Sequence, residues 1–371
     1  MTDYAATLDA PAAADLLRDA DTVTLLTHAK PDGDAFASVI ALAAALQHLG
    51  KTTHAAFAPP VPAAFEHLPG ADLAITTRDP ADLPGAVDLL VVLDTGARSQ
   101  LGPLVEVVDR QVAAGKPTLI VDHHLSGDLP AEHRLIDATR AANAELVADP
   151  IEHLAPDLLT PDHPSPVPTA LYLGIATDTG WFRFPNTTPA TLRLAARLIE
   201  LGVDHANLYN AVENDNRPEK LALVTAALDS LTYLHAGRVA LMTLTPEDFA
   251  RTGARYEETE RLVDFPQMVG RVHAVALVAE VHAPDGRHLT RISLRSKPAT
   301  PQGPPAIDVA AIANALGGGG HFHAAGVKLP GPLANHLPAL RAAIDHALAL
   351  APTPATPATA SATSATAPAQ P

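Results

Sequence analysis

Three short runs in the first half of the chain limit its fold more than any other feature: TVTLLT at 22–27, VDLLVVL at 87–93 and TLIV at 118–121. They are apolar almost throughout, where a half-exposed strand would alternate apolar with polar. Strands of this kind are covered on both faces, as the central strands of parallel sheets are. Helical stretches separate and follow them. AFASVIALAAAL lies in a buried helix over 35–49 stopped by Gly50, ALYLGIATDTG (170–180) reads as a helix ending near Asp178, and 189–202 is amphipathic with a glycine stop. The alternation predicts an α/β fold whose N-terminal domain is a doubly wound, mainly parallel sheet.

A second set of strand candidates, RVALMTL (238–244), AVALVAEV (274–281) and LTRISLR (289–295), predicts a smaller C-terminal α/β domain. The division expected is a first domain over 1–204, a polar connection over 205–225 that includes VENDNRPEK, and a second domain over 226–350. The Pro-rich stretch 159–168 reads as an irregular loop. Residues 351–371, nearly all Ala, Pro, Thr and Ser, have nothing to bury and are expected to be disordered.

Composition removes several function classes. With no cysteine there is no disulfide framework, thiol nucleophile or thiolate metal site, in keeping with a reducing compartment. The N-terminus carries acids where a secretory signal carries basic residues, and no apolar run reaches the ~18 residues of a membrane helix. A cytoplasmic enzyme is therefore expected. The net charge of −16 and the missing basic stripe argue against a grip on long or duplex nucleic acid, which draws most of its affinity from phosphate neutralisation.

Acids and imidazoles follow the apolar segments at four places: His28, Asp32 and Asp34 in HAKPDGDA; Asp94 in VVLDTG; Asp122, His123 and His124 in VDHH; and Asp178 in IATDTG. In an open parallel sheet, groups at the carboxyl ends of different strands converge on one crevice. Taken singly, each has an ordinary reading: PDG is a common turn, and a strand-end Asp is most often a cap. Four matched places in one chain favour a shared site. Oxygen and imidazole donors without thiolate suit Mn²⁺ or Mg²⁺, and so many acids suggest two ions, which about 3.5–4 Å apart can clamp a phosphoryl group and its leaving oxygen. Asp94, alone at its strand end, fits the position between them.

These motifs, with GGGGHFHAAG at 317–326, resemble the DHH phosphoesterase superfamily and its associated C-terminal domain, from about residue 20 to about 345. Arrangement and size are most similar to the branch of nanoRNases and pAp phosphatases. The resemblance implies a manganese-dependent enzyme that cleaves very short oligoribonucleotides to mononucleotides and 3′-phosphoadenosine 5′-phosphate (pAp) to AMP, by attack of a hydroxide held between two ions. It implies one ion on His28, Asp32 and Asp94 and the other on Asp34, Asp94, His123 and Asp178. His124 would face the substrate phosphate or orient a ligand, and Asp122 would support the histidine pair. The family also suggests a homodimer, and the lack of an apolar span argues against a membrane partner.

Two departures stand out: Ala37 precedes Ser38 where the family has Gly, and the 159–168 loop is longer than the family needs, which would bear on substrate access.

In the second domain, Gly318, Gly319, Gly320 and His321 are expected to meet substrate phosphate through backbone N–H groups and an imidazole, with Gly317 as a helix cap and Arg295 as a terminal-phosphate clamp. Lys297 reads as surface charge or a second clamp. TrpPheArgPhe at 181–184 reads as core filler or as a ring on which a base stacks. A second domain closing over the first about 205–225 would admit short substrates and reject long ones. Competing readings are a cyclic-dinucleotide phosphodiesterase, a RecJ-type single-strand exonuclease, a manganese pyrophosphatase and an inactive regulator. The exonuclease would need a basic track, and the regulator should have lost a ligand position, whereas all are filled.

Overall fold

The computed structural model describes residues 4–58, 65, 68–75, 79–282, 286–299 and 305–350. The expectation of disorder for 351–371 lies outside the described residues. The chain divides into two compact units between Asp215 and Asn216.

In the first unit, β1 (Thr22–Leu26), β2 (Thr52–Ala55), β3 (Leu89–Leu93), β4 (Thr118–Asp122) and β5 (His133–Ile136) form one sheet. All four pairings are parallel, in the order β2-β1-β3-β4-β5. Every residue of β3 and β4 is buried, as their continuous apolar runs require. The strand order reverses between β1 and β3, which opens a crevice at their carboxyl ends. The edge strands β2 and β5, short and partly polar, are absent from the sequence expectation.

Helices α1 (Ala10–Asp19), α2 (Gly33–His48), α3 (Val105–Ala113), α4 (Asn143–Leu154), α5 (Val167–Asp178) and α6 (Pro189–Glu200) cover the sheet. Residues 33–46 of α2 are all buried, so its sequence is apolar all round. Phe36 stacks between Phe57 and Phe65, with centroids 4.8 and 5.3 Å away. Glycines bring α2 and α5 together: a Cβ on Gly33 would collide with Thr177, and one on Gly174 would lie 2.6 Å from both Ala144 Cβ and Asp34 Oδ1. The Ala37 methyl is fully buried, and it lies 3.4 Å from that same point above Gly174, an ordinary contact. The 159–168 segment is shorter as a loop than its prolines suggest: a single turn spans Pro156–Leu159 and α5 begins at Val167.

The polar stretch 205–225 is largely helical on both sides of the division, with α7 (His205–Tyr209) in the first unit and α8 (Pro218–Asp229) in the second. The second unit adds β6 (Thr232–Leu234), β7 (Val239–Leu244), β8 (Ala274–His282), β9 (His288–Ser296), α9 (Val309–Ala315), β10 (Gly319–His321), β11 (Ala324–Pro330) and α10 (Leu337–Leu350). Its sheet runs β10-β11-β9-β8-β7-β6, antiparallel except for β7 with β8. No helix among the described residues is long and apolar enough to cross a membrane.

Gly174→Ala should destabilise the first unit by about 1–3 kcal/mol through overpacking, even though alanine is the better helix former. Urea unfolding checks it, and an unchanged or raised midpoint would show that α2 and α5 can part without cost.

Candidate metal centre

His28, Asp94 and the Asp122–His124 segment leave the carboxyl ends of β1, β3 and β4. Asp32 caps α2, accepting from the N–H groups of Asp34 and Ala35 (3.1 and 3.0 Å), and Asp178 ends α5. Together with Gln100, all of these except Asp122 line a cleft of about 140 Å³, namely His28, Asp32, Asp94, His123, His124 and Asp178. Asp34 lies beneath, buried.

Asp94 holds the group together. Its backbone is left-handed (φ 60°), a conformation Asp tolerates better than most residues, and its N–H donates to Val121 on β4 at 3.0 Å. One carboxylate oxygen lies 3.6 Å from His28 Nε2, and the other lies 3.3 Å from His123 Nε2 and 3.9 Å from His124 Nδ1. Burial works to raise its pKa, but His123 and His28 outweigh burial and hold it below the ordinary carboxylate value. Asp94 Oδ1 is nonetheless buried without a hydrogen-bond partner.

Asp34 is fixed by a different element. Its two oxygens accept the first N–H groups of α4, from Asn143 (2.5 Å) and Ala144 (2.9 Å), so the carboxylate sits on the positive end of that helix. Asn143 Nδ2 also donates to Ser38 Oγ at 3.0 Å and ties α4 to α2. Burial and the charges of Asp94, Asp178 and Asp32 push Asp34 well above its usual pKa.

Asp178 and His123 (Nε2 to Oδ2, 3.8 Å) complete this side. His123 Nδ1 lies 3.4 Å from the Arg140 carbonyl, a weak contact that turns Nε2 toward the carboxylates. Burial raises Asp178 to about 6. Burial alone would lower His123, but its contact with Asp94 and the charges of Asp34, Asp94 and Asp178 carry it to about 10.

The donor atoms fall into overlapping sets within 4.8 Å: His28, Asp32 and Asp94; Asp34, His123 and Asp178; and Asp94, His123 and His124. Residues that the sequence spreads over 150 positions thus meet around Asp94. The orphaned buried oxygen of Asp94, the carboxylates with raised pKa values, and the absence of thiolate among the donors all fit hard or borderline divalent cations. A cation would relieve the repulsion that raises Asp34 and Asp178.

Asp122 is in none of these donor sets and supports His124, accepting from its backbone N–H (3.2 Å) and bonding its Nδ1 (2.6 Å). Its other oxygen accepts from Tyr4 Oη at 2.5 Å. The Tyr4 ring occupies the space that side chains on Gly96 and Gly127 would fill, so these two glycines make room for it. Nothing in the sequence around Tyr4 signals this contact 118 positions away. Gln100, also unforeseen, accepts from Thr95 Oγ1 at 2.5 Å. Of the 181–184 rings, Trp181 and Phe182 pack against the core, Trp181 Nε1 donating to Glu213 (2.7 Å), while Phe184 is half exposed.

In the second unit the structure gives the glycine run a structural use. Gly317 has φ 78° beyond α9, Gly318 N–H donates to Ala313 at 2.8 Å, and Gly319–His321 pair with β11. A Cβ on Gly318 would strike the Gly326 carbonyl, and one on Gly320 (φ 145°) would lie 2.5 Å from the Ala324 oxygen. The N–H of Gly318 is therefore spent on capping and is withdrawn from any anion nest. Arg295 stands opposite Ala324, and Ala324 opposite His321, which places the arginine and histidine in one row across three strands. Both are exposed. Lys297 is not a free clamp: its ammonium donates to the Val269 carbonyl at 2.9 Å.

Residues 22–175 match the family model described as DHH family, N-terminal domain. A Thermus thermophilus protein named bifunctional oligoribonuclease and PAP phosphatase NrnA is 32% identical over 313 residues, 83% of this chain and 84% of that one. A Bacillus subtilis protein of the same name is 26% identical over 316 residues, covering 83% and 90%. The crystal structure of an exopolyphosphatase-related protein from Bacteroides fragilis superposes with a TM-score of 0.79 at 22% identity over 91% of this chain and 95% of that one, which supports the fold.

The raised pKa values of Asp178 (about 6) and His123 (about 10) mean that the folded metal-free chain holds protons the unfolded chain releases. Stability without metal should therefore fall as pH rises, first through the Asp178 range and then through that of His123. A cation replaces those protons, so the rise in Tm on adding Mn²⁺ to the chelator-stripped protein should be larger at about pH 8 than at about pH 5.5. Equal rises at the two values would remove the coupling.

Proposed function

The chain belongs to the DHH family, and on that premise we propose that it is a metal-dependent phosphoesterase that hydrolyses very short oligoribonucleotides to mononucleotides and pAp to AMP. The observation that carries this reading is the convergence of five other cleft-lining acids and imidazoles on Asp94, whose buried Oδ1 lacks a hydrogen bond. The names of the Thermus and Bacillus relatives point to the same two activities.

In this reading His28, Asp32 and Asp94 hold one ion, and Asp34, Asp94, His123 and Asp178 hold the other, with Mn²⁺ favoured by the mixed carboxylate and imidazole donors. When bound, such a pair makes water a nucleophile near neutral pH and offsets charge on the phosphoryl and leaving oxygens. The protein's own part is positional. Asp94 keeps the two donor sets in register. The helix dipole of α4 and its two N–H groups hold Asp34 rigid. Asp122 binds Nδ1 of His124 and so leaves Nε2 to meet the substrate phosphate.

For the second unit, the proposed contacts to the substrate's terminal phosphate are Arg295 and His321, with Gly319 and Gly320 allowing close approach of the chain. Arg295 offers paired donors, as a terminal phosphate requires. Gly318 keeps only a structural part, since its N–H is spent. The net charge of −16 supports short substrates over long or duplex ones.

With Mn²⁺ present, pAp and a 5′-phosphorylated diribonucleotide should both turn over, while a cyclic dinucleotide and a 20-residue strand should react slowly or not at all. Asp94→Ala should lower turnover by at least about 10³-fold, above the loss of a single transition-state donor. Preference for the long strand would replace this reading with a single-strand exonuclease. No turnover of any of the four would remove the enzyme reading.

Tyr4→Phe keeps the ring between Gly96 and Gly127 but takes the donor from buried Asp122. We expect kcat to fall about tenfold, as for loss of an outer partner of a metal or catalytic side chain, with KM little changed. A kcat equal to the parent's would show that Asp122 orients His124 unaided.

A further inference from the structure

A second cluster of metal-ligating side chains lies in the first unit, outside the cleft. His48 is the last residue of α2, Asp157 lies in the turn Pro156–Leu159, and His163 lies in the segment leading into α5. His48 Nε2 is 2.8 Å from Asp157 Oδ2, His163 Nδ1 is 3.9 Å from the same oxygen, and the three donor atoms lie within 4.8 Å of one another. The two imidazole rings meet edge to face at 4.9 Å.

An ordinary surface ion pair needs only one of these histidines, and such a pair adds little to stability. Here a second imidazole, 115 positions from the first in sequence, turns a ring nitrogen toward the same carboxylate. Two imidazoles and one carboxylate oxygen make a three-donor set open to water on the remaining side, since the side chains are 31%, 52% and 41% exposed. Nitrogen donors of this kind favour Zn²⁺, Ni²⁺ or Cu²⁺ over Mn²⁺ or Mg²⁺. The carboxyl end of the α2 dipole adds a favourable field for a cation.

We propose that His48, Asp157 and His163 form a separate transition-metal site, selective for Zn²⁺-type ions, that fastens the carboxyl end of α2 to the segment entering α5. The length of α2 sets it about 24 Å from Asp32 and about 21 Å from Asp34, at the other end of the same helix. The helix it adjoins next, α5, carries Asp178 at its far end. The ion would thus clamp, at their remote ends, the two helices that deliver three of the cleft's acids. The Pro-rich stretch acquires a role there, away from the cleft, in place of the control of substrate access that its length suggests.

The test uses the full chain, stripped with chelator and dialysed against Zn²⁺ alone, with bound zinc counted by mass spectrometry. The parent should bind one equivalent more than His48→Gln, His163→Ala or Asp157→Asn, and its Tm should rise further with Zn²⁺ than theirs. Affinity at this site should drop by more than the ~10–100-fold that loss of an outer-shell partner costs. Turnover with Mn²⁺ should stay at the parent level in all three variants, which also shows that they fold. Equal zinc content in parent and variants would overturn the proposal. Loss of turnover together with all bound zinc would overturn it too, because these residues would then support the cleft and not a site of their own.

Discussion

Several carboxylates share one small, largely buried cleft, and the rest of the first unit is arranged around that repulsion. Each acid is offset by a different device. Asp94 has two imidazoles, Asp34 has the amino end of α4, Asp32 has the first N–H groups of α2, and Asp178 has His123. These devices do not finish the task. One oxygen of Asp94 stays without a hydrogen bond, and Asp34 and Asp178 are held toward their protonated forms. A divalent cation is the natural remaining partner, so the same arrangement that strains the metal-free protein prepares it for metal.

Holding charged groups this close demands a stiff frame, and small residues provide it. Gly33 and Gly174 let α2 and α5 approach until Thr177 and Asp34 fill the space that side chains would take. Gly96 and Gly127 admit Tyr4, which steadies Asp122 and through it His124. The glycines of the second unit work in the same way. Gly318 and Gly320 let β10 lie against β11, which puts Arg295 and His321 in one row. A glycine in a motif here marks a close approach of chain to chain before it marks contact with a ligand.

How far the sequence was legible depended on the range of the interaction. The central strands declared themselves because burial on both faces leaves a continuous apolar run. The edge strands β2 and β5 did not, since Thr52–Ala55 and His133–Ile136 face partly outward and are only four residues long. The helix α4 was hidden by Pro150 in its interior and by an N-terminus capped from another segment, through Asp34, where a local Ser or Asp would have signalled the start. The polarity of 205–225 marks the region where the two units divide, at Asp215 and Asn216, and does not show that helices run up to that division on both sides, because exposed helices are polar too.

What the sequence determined by itself was the chemistry: which donors stand at strand and helix ends, that none is sulfur, and that a parallel sheet would gather them. Those features are local, fixed by residue type and by the period of a strand or helix. Tertiary structure alone decided how each donor is used. It gave Asp94, already marked by its strand end, its distances to the imidazoles on both sides, and gave Asp34 its helix-end partner. It brought Tyr4 to Asp122 from 118 positions away, and it spent Gly318 on a cap. Contacts of that kind depend on how helices and strands pack, and packing distance is not written in the neighbouring residues.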